Sequence, residues 1–122
     1  MPMRPLTRYV LVGAFATAVH YALLVLCVEV GAWPAPLASG FGAVVGAQIG
    51  YAGNRQFTFA HRGDVAQSWV RFQATALLGA GLGMAIVALG VWFGLHYIAA
   101  QMVATLTALG LTFLINRRWT FG

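Results

Sequence analysis

The sequence predicts an all-α bundle of four helices embedded in a membrane, built as two parallel copies of a helical hairpin. Two observations predict it. First, apolar residues make up 61% of the 122 residues and charged residues only 7%. A soluble domain averages about 25% charged residues, so this chain lacks the polar side chains to cover itself in water. Second, Asn54-Arg55-Gln56-Phe57-Thr58-Phe59 returns 62 residues later as Asn116-Arg117-Arg118-Trp119-Thr120-Phe121. Arg8-Tyr9 returns as Arg71-Phe72, 63 residues later. A repeat of this kind fixes architecture before any single residue is assigned.

Residues 1–122 therefore read as one domain, with repeats over 8–59 and 71–121 and a cytoplasmic linker over 60–70. The first helix is expected over 9–28, behind Arg4 and Arg8. Its apolar run is too long for a signal-peptide core and has no convincing cleavage site. The second is expected over 34–54, the third over 72–95 and the fourth over 97–116, all free of charged residues. Each is close to the ~20 residues that span a hydrocarbon core. Gly31-Ala32-Trp33-Pro34 breaks the first hairpin, because glycine ends a helix well and proline cannot continue one. The break near Phe93-Gly94-Leu95-His96 has no proline and is expected to be tight.

Seven arginines, no lysine and two carboxylates give a formal charge of +5 and a pI near 10.4. In this reading all seven arginines fall at one side, which puts both termini and the linker in the cytoplasm and the protein in the inner membrane. Trp33, Trp92 and Tyr97 then mark the outer interface, and Tyr9, Trp69, Phe72 and Trp119 the inner one. With no soluble surface to carry it, nucleic acid is not an expected partner; the membrane and an anionic lipid headgroup are. The lone Cys27 excludes an internal disulfide. No cofactor or metal is expected, since no phosphate loop, metal-binding helix or nucleophile–base pair is apparent. The chain is accordingly not expected to be an enzyme.

Gly42, Gly46 and Gly50 form a small-residue stripe, echoed by Ala104, Ala108 and Thr112. Such stripes let helix backbones approach closely. Four helices packed this way are expected to leave little lumen, so a passage would need a lipid-side groove or a second protomer. Hence a homodimer is expected. Polar groups within the spans are few: His20, Gln48, Gln101 and several threonines, whose hydroxyls can return to their own helix. No carboxylate sits at mid-membrane, which counts against a proton-coupled drug exporter.

The two Asn-Arg segments carry the site expectation. Snorkelling and anchoring explain an arginine beside an aromatic residue, but not the repeated order of Asn, Arg, aromatic, Thr and Phe. Asn54 and Asn116 are expected to end their helices in a left-handed turn. Arg55 and Arg117 then offer bidentate forks to a phosphate, with Arg118, Arg8 and Arg71 completing the basic set. Phe57 and Trp119 lie ready for an isoprenoid tail. Gln48 and Tyr51, one to two turns before Arg55, add headgroup contacts. Glu29, at the opposite end of the first span, is a candidate partner for a sugar hydroxyl.

Arg8-Tyr9 with Val12-Gly13 and Thr17, Tyr51-x-x-Asn54-Arg55-x-Phe57-x-Phe59, Arg71-Phe72 and Asn116-Arg117-x-Trp119-x-Phe121 together resemble the GtrA-like family of small four-span membrane proteins. The resemblance implies a role in cell-surface polysaccharide synthesis, as a flippase or carrier of a polyprenyl-phosphate sugar. The alternative it implies is a non-transporting anchor that recruits a polyprenyl-phosphate glycosyltransferase, since related segments occur beside enzymes such as dolichol-phosphate mannose synthase.

Overall fold

The structure, a computed structural model, describes residues 5–55 and 65–120. Four helices run in chain order: α1 at Pro5–Val25, α2 at Ala35–Gly53, α3 at Val65–Trp92 and α4 at Tyr97–Ile115. A widened π turn extends α1 through Leu26–Val30, and another extends α4 through Asn116–Thr120. The all-α membrane bundle is therefore as the sequence predicts.

The boundaries depart from expectation in two places. α3 begins at Val65, well before Arg71, so helix takes in much of the expected linker. Arg71 marks where apolarity stops, not where helical backbone stops, because an arginine can extend its stem from inside a helix to the interface. At the first turn the left-handed residue is Ala32, with φ 56°, while Gly31 stays right-handed at φ −84°. The π turn sends the Gly31 N–H to the Leu26 carbonyl and the Trp33 N–H to the Cys27 carbonyl, which moves the reversal one residue on. The second turn is as tight as expected. Gly94 takes φ +94°, and the Leu95 N–H reaches back to the Gly90 carbonyl at 2.9 Å. That is a glycine helix stop of the Schellman type.

Segments 7–30, 66–92 and 97–120 are long and apolar enough to cross a membrane. α2 falls short of the same apolarity, although the sequence marked it as a full span. Its content of glycine, alanine and serine explains the shortfall, and packing explains the content. α2 lies between α1 and α3, and its buried residues are Ala38, Ser39, Gly40, Gly42, Gly46 and Gly50. At Gly42 a Cβ would stand 2.7 Å from His20 Cδ2 and 2.8 Å from the His20 carbonyl, so α1 and α2 meet there backbone to backbone. The large side chains point outward instead: Leu106 is 72% and Leu77 63% exposed. In water such a surface would drive association; against lipid tails it is ordinary.

Chain neighbours pack closely, whereas α1 and α4 approach each other less closely than any chain-adjacent pair. This difference shapes the site.

Candidate functional site

A cavity of about 180 Å³ lies on the bundle axis, walled by one face of every helix. On α2 the wall positions are Ser39, Ala43, Gly46, Ala47, Gly50 and Asn54, spaced by helical turns. From Ser39 to Asn54 this wall runs roughly 22 Å at 1.5 Å per residue. The lumen is small, as expected. The stripes of small residues not only draw neighbouring helices together; they also face the axis, where glycine, alanine and threonine cannot fill the space.

Between α1 and α4 a second hollow of about 470 Å³ opens on the outer surface of the bundle. Tyr9, Gly13, Thr17, Thr105 and Leu109 wall both spaces. Two tyrosines of α1 bridge this seam. The Tyr9 hydroxyl donates to the Leu109 carbonyl at 3.5 Å, and the Tyr21 hydroxyl lies 2.8 Å from Thr105 Oγ1.

The arginines among the described residues gather at one end. Asn54 is 5% exposed and forms the end of the cavity wall on α2. It does not turn left-handed as expected, but keeps helical angles of φ −70° and ψ −37°. The backbone therefore carries Arg55 on in helical register, half-buried, with its Nε buried and without a hydrogen-bond partner. Arg8 is half-buried on α1. Arg71 donates from Nη1 to the Trp119 carbonyl at 2.9 Å, and its guanidinium sits 5.3 Å from the Trp119 ring centre. That pairing holds the second Asn-Arg segment against the start of α3. Arg117 and Arg118 are exposed. Arg4, Phe57, Arg62 and the Asn116 side chain lie outside the described residues.

An aromatic layer underlies these arginines. Tyr9 meets Phe113 edge-on at 4.3 Å, and Phe72 meets Tyr51 in the same way at 5.2 Å. The residues in these pairs are themselves repeat partners: Tyr9 with Phe72, and Tyr51 with Phe113. Tyr51 also places its hydroxyl 2.8 Å from Ser68 Oγ, between α2 and α3. Gln48 faces away from the cavity and exchanges amide hydrogen bonds with Gln73 at 2.9 and 3.1 Å. Both residues thus tie α2 to α3 in this structure. Glu29 belongs to the other end, where it accepts a hydrogen bond from the Tyr97 hydroxyl at 3.0 Å.

Sequence reasoning missed a polar chain inside the half that holds no arginine among the described residues. Ser39 Oγ donates to Gln101 Oε1, and Gln101 Nε2 donates to Thr105 Oγ1 at 3.1 Å, which brings in Tyr21. Thr75, Thr107 and Thr112 do return their hydroxyls to the carbonyl four residues back, as expected; Thr105 instead joins this chain. A signal was available. Ser39 and Gln101 stand 62 residues apart, the offset of the Asn-Arg segments.

Residues 8–121 match the family described as GtrA/DPMS, transmembrane domain. A comparison with curated protein sequences finds no match. The match covers nearly the whole chain and takes in both Asn-Arg segments and all four helices of the bundle, so the chain belongs to the GtrA/DPMS transmembrane-domain family.

Proposed function

We propose that the protein carries a polyprenyl-phosphate-linked sugar across the cytoplasmic membrane, for assembly of cell-surface polysaccharide. The observation that carries this reading is the axial cavity, which runs from buried Asn54 at the arginine end to Ser39 and Gln101 near the other. Arg55 and Arg117 receive the phosphate, and the headgroup follows the axis. The prenyl tail stays in the lipid beside the α1–α4 seam. About 180 Å³ is less than the ~300–1,000 Å³ of common ligand pockets, so a sugar passes only when the seam parts. With no nucleotide motif, the gradient of substrate from synthesis to consumption drives the movement, and the protein catalyses no covalent step. A homodimer is not required by this route, since one bundle supplies the passage.

Reconstitution into liposomes with a labelled polyprenyl-phosphate sugar tests the proposal. Movement of label without any added glycosyltransferase is expected. Its absence, with recovery only when such an enzyme is present, would favour the recruiting anchor.

The seam gives a second test. A short bis-maleimide joins Tyr21→Cys to Thr105→Cys across the gap that the tyrosine side chain spans in the native protein. Cys27→Ser removes the native thiol near the same end. Cross-linking is expected to cut transport at least tenfold; full transport by cross-linked protein would rule out the seam as the route.

Orientation is tested separately. All the arginines are assigned to the cytoplasm, so cysteines replacing Arg62 and Gly122 are expected to resist a membrane-impermeant thiol reagent on intact cells. Labelling at either position would reverse the topology.

A further inference from the structure

We propose that the polar chain of Ser39, Gln101, Thr105 and Tyr21, together with His20, is a station for the hydroxyl groups of an uncharged sugar ring carried on a lipid. This deepens the carriage reading above and rests on it for the lipid.

The inner part of the chain is buried. Ser39 and Gln101 are each 2% exposed. Both lie four residues inside the starts of their helices, roughly 6 Å deep at 1.5 Å per residue. Polar groups at such depth are costly in a membrane protein and mark routes and sites. Pinning α1, α2 and α4 together would account for Ser39, Gln101, Thr105 and Tyr21. It does not account for His20. That residue lines the same cavity, and its Nε2 is buried with no hydrogen-bond partner. The Ser39 carbonyl approaches the ring but falls outside hydrogen-bond geometry.

The chemistry of these groups selects the occupant. None of Ser39, Gln101, Thr105 and Tyr21 carries a charge, so the chain offers nothing to neutralise a phosphate. It does offer spare capacity for hydroxyls. Gln101 retains a second amide hydrogen, Ser39 retains its lone pairs, Thr105 retains either its hydrogen or one lone pair, and His20 Nε2 is unused. A ring bearing several hydroxyls, each both donor and acceptor, meets such a set. The distance from Asn54 is too great for one headgroup to hold both ends at once. The ring therefore occupies this station after its phosphate has left the arginines.

The test separates ring from phosphate. Octyl β-glucoside carries the ring and a tail but no phosphate, and its binding to the protein in nanodiscs is measured. Wild type is expected to bind it. His20→Phe keeps a flat ring without the nitrogens and is expected to bind about tenfold more weakly, the loss of one or two neutral hydrogen bonds. Gly81→Ala, where an added Cβ meets nothing within 4 Å, is expected to bind it as wild type does. If His20→Phe does not fold, Thr105→Val keeps the volume, removes the hydroxyl and carries the same expectation. Wild-type affinity in a folded variant, or no binding by wild type, would overturn the station. Equal binding of methyl β-glucoside would assign the site to free sugar and overturn the lipid-borne form. If octyl β-glucoside binds as expected while no polyprenyl-phosphate sugar is transported, carriage fails and the hydroxyl site stands.

Discussion

Replacing Gly46 by leucine is expected to abolish a folded, monodisperse species in detergent. A Cβ at position 46 would stand 3.1 Å from the Ala16 carbonyl of α1 and 3.6 Å from His20 Cβ. The first of these neighbours is backbone, which moves only if the helix moves. A leucine adds three more carbons in a place already tight for one. Overpacking of a well-packed core costs about 1–3 kcal/mol, occasionally more, and α1 has no other helix to lean on as closely as α2. Gly42→Ala is expected to do comparable damage with a single methyl, since its Cβ would lie 2.8 Å from the His20 carbonyl. Gly81 is the control: a Cβ there meets nothing within 4 Å, so Gly81→Leu should elute and melt like wild type. A normal elution profile and melting temperature for Gly46→Leu would mean that α1 and α2 do not meet as described.

Arg55→Lys is expected to insert and fold normally yet bind a polyprenyl phosphate about tenfold more weakly, or worse. Lysine snorkels as well as arginine and keeps the charge, so topology is preserved. What it lacks is the planar fork that holds two phosphate oxygens together. Losing one charged hydrogen bond of such a pair, worth about 1.5–3 kcal/mol, sets the size of the effect. Arg117→Lys is expected to lose less. Arg55 is half-buried beside the cavity end with an unused buried Nε, whereas Arg117 is exposed. Binding and transport assays on both variants decide the matter. Full activity in both would leave these arginines with topology alone, and the recruiting anchor would become the better account.

The helices and their small-residue faces were legible in the sequence, because a lipid environment simplifies the code. Charge is excluded from the spans, arginine gathers at their ends, and the helical period of glycine reports close approach. The cavity was not legible. A stripe of glycine and alanine reads the same whether it meets a neighbouring backbone or an empty axis, and only the crossing of four helices decides. Gly42 does the first; Ala47 and Ala76 help to do the second. The left-handed Ala32 was hidden for a different reason. A π turn shifts the hydrogen-bond register by one residue, and composition does not announce such a shift. Gln48 and Tyr51 were singled out as polar residues near Arg55. Their direction depends on where α3 lies, which no local pattern encodes. The partnership of Ser39 with Gln101 was within reach, had the 62-residue offset been followed past the two Asn-Arg segments.

The modest apolarity of α2 bears on biogenesis. Glycine, alanine and serine gain little on entering hydrocarbon, so this helix leaves the insertion machinery with a weak partition free energy of its own. α1, which is long and apolar enough to span by itself, is expected to carry it in. The reversal between them is short, tied by the Trp33 N–H to the Cys27 carbonyl, which couples the two segments mechanically. α1 and α2 are therefore expected to enter as one hairpin. Lengthening that reversal with a flexible, polar insert would uncouple them and strand α2 outside the bilayer, although its contacts in the finished bundle are untouched.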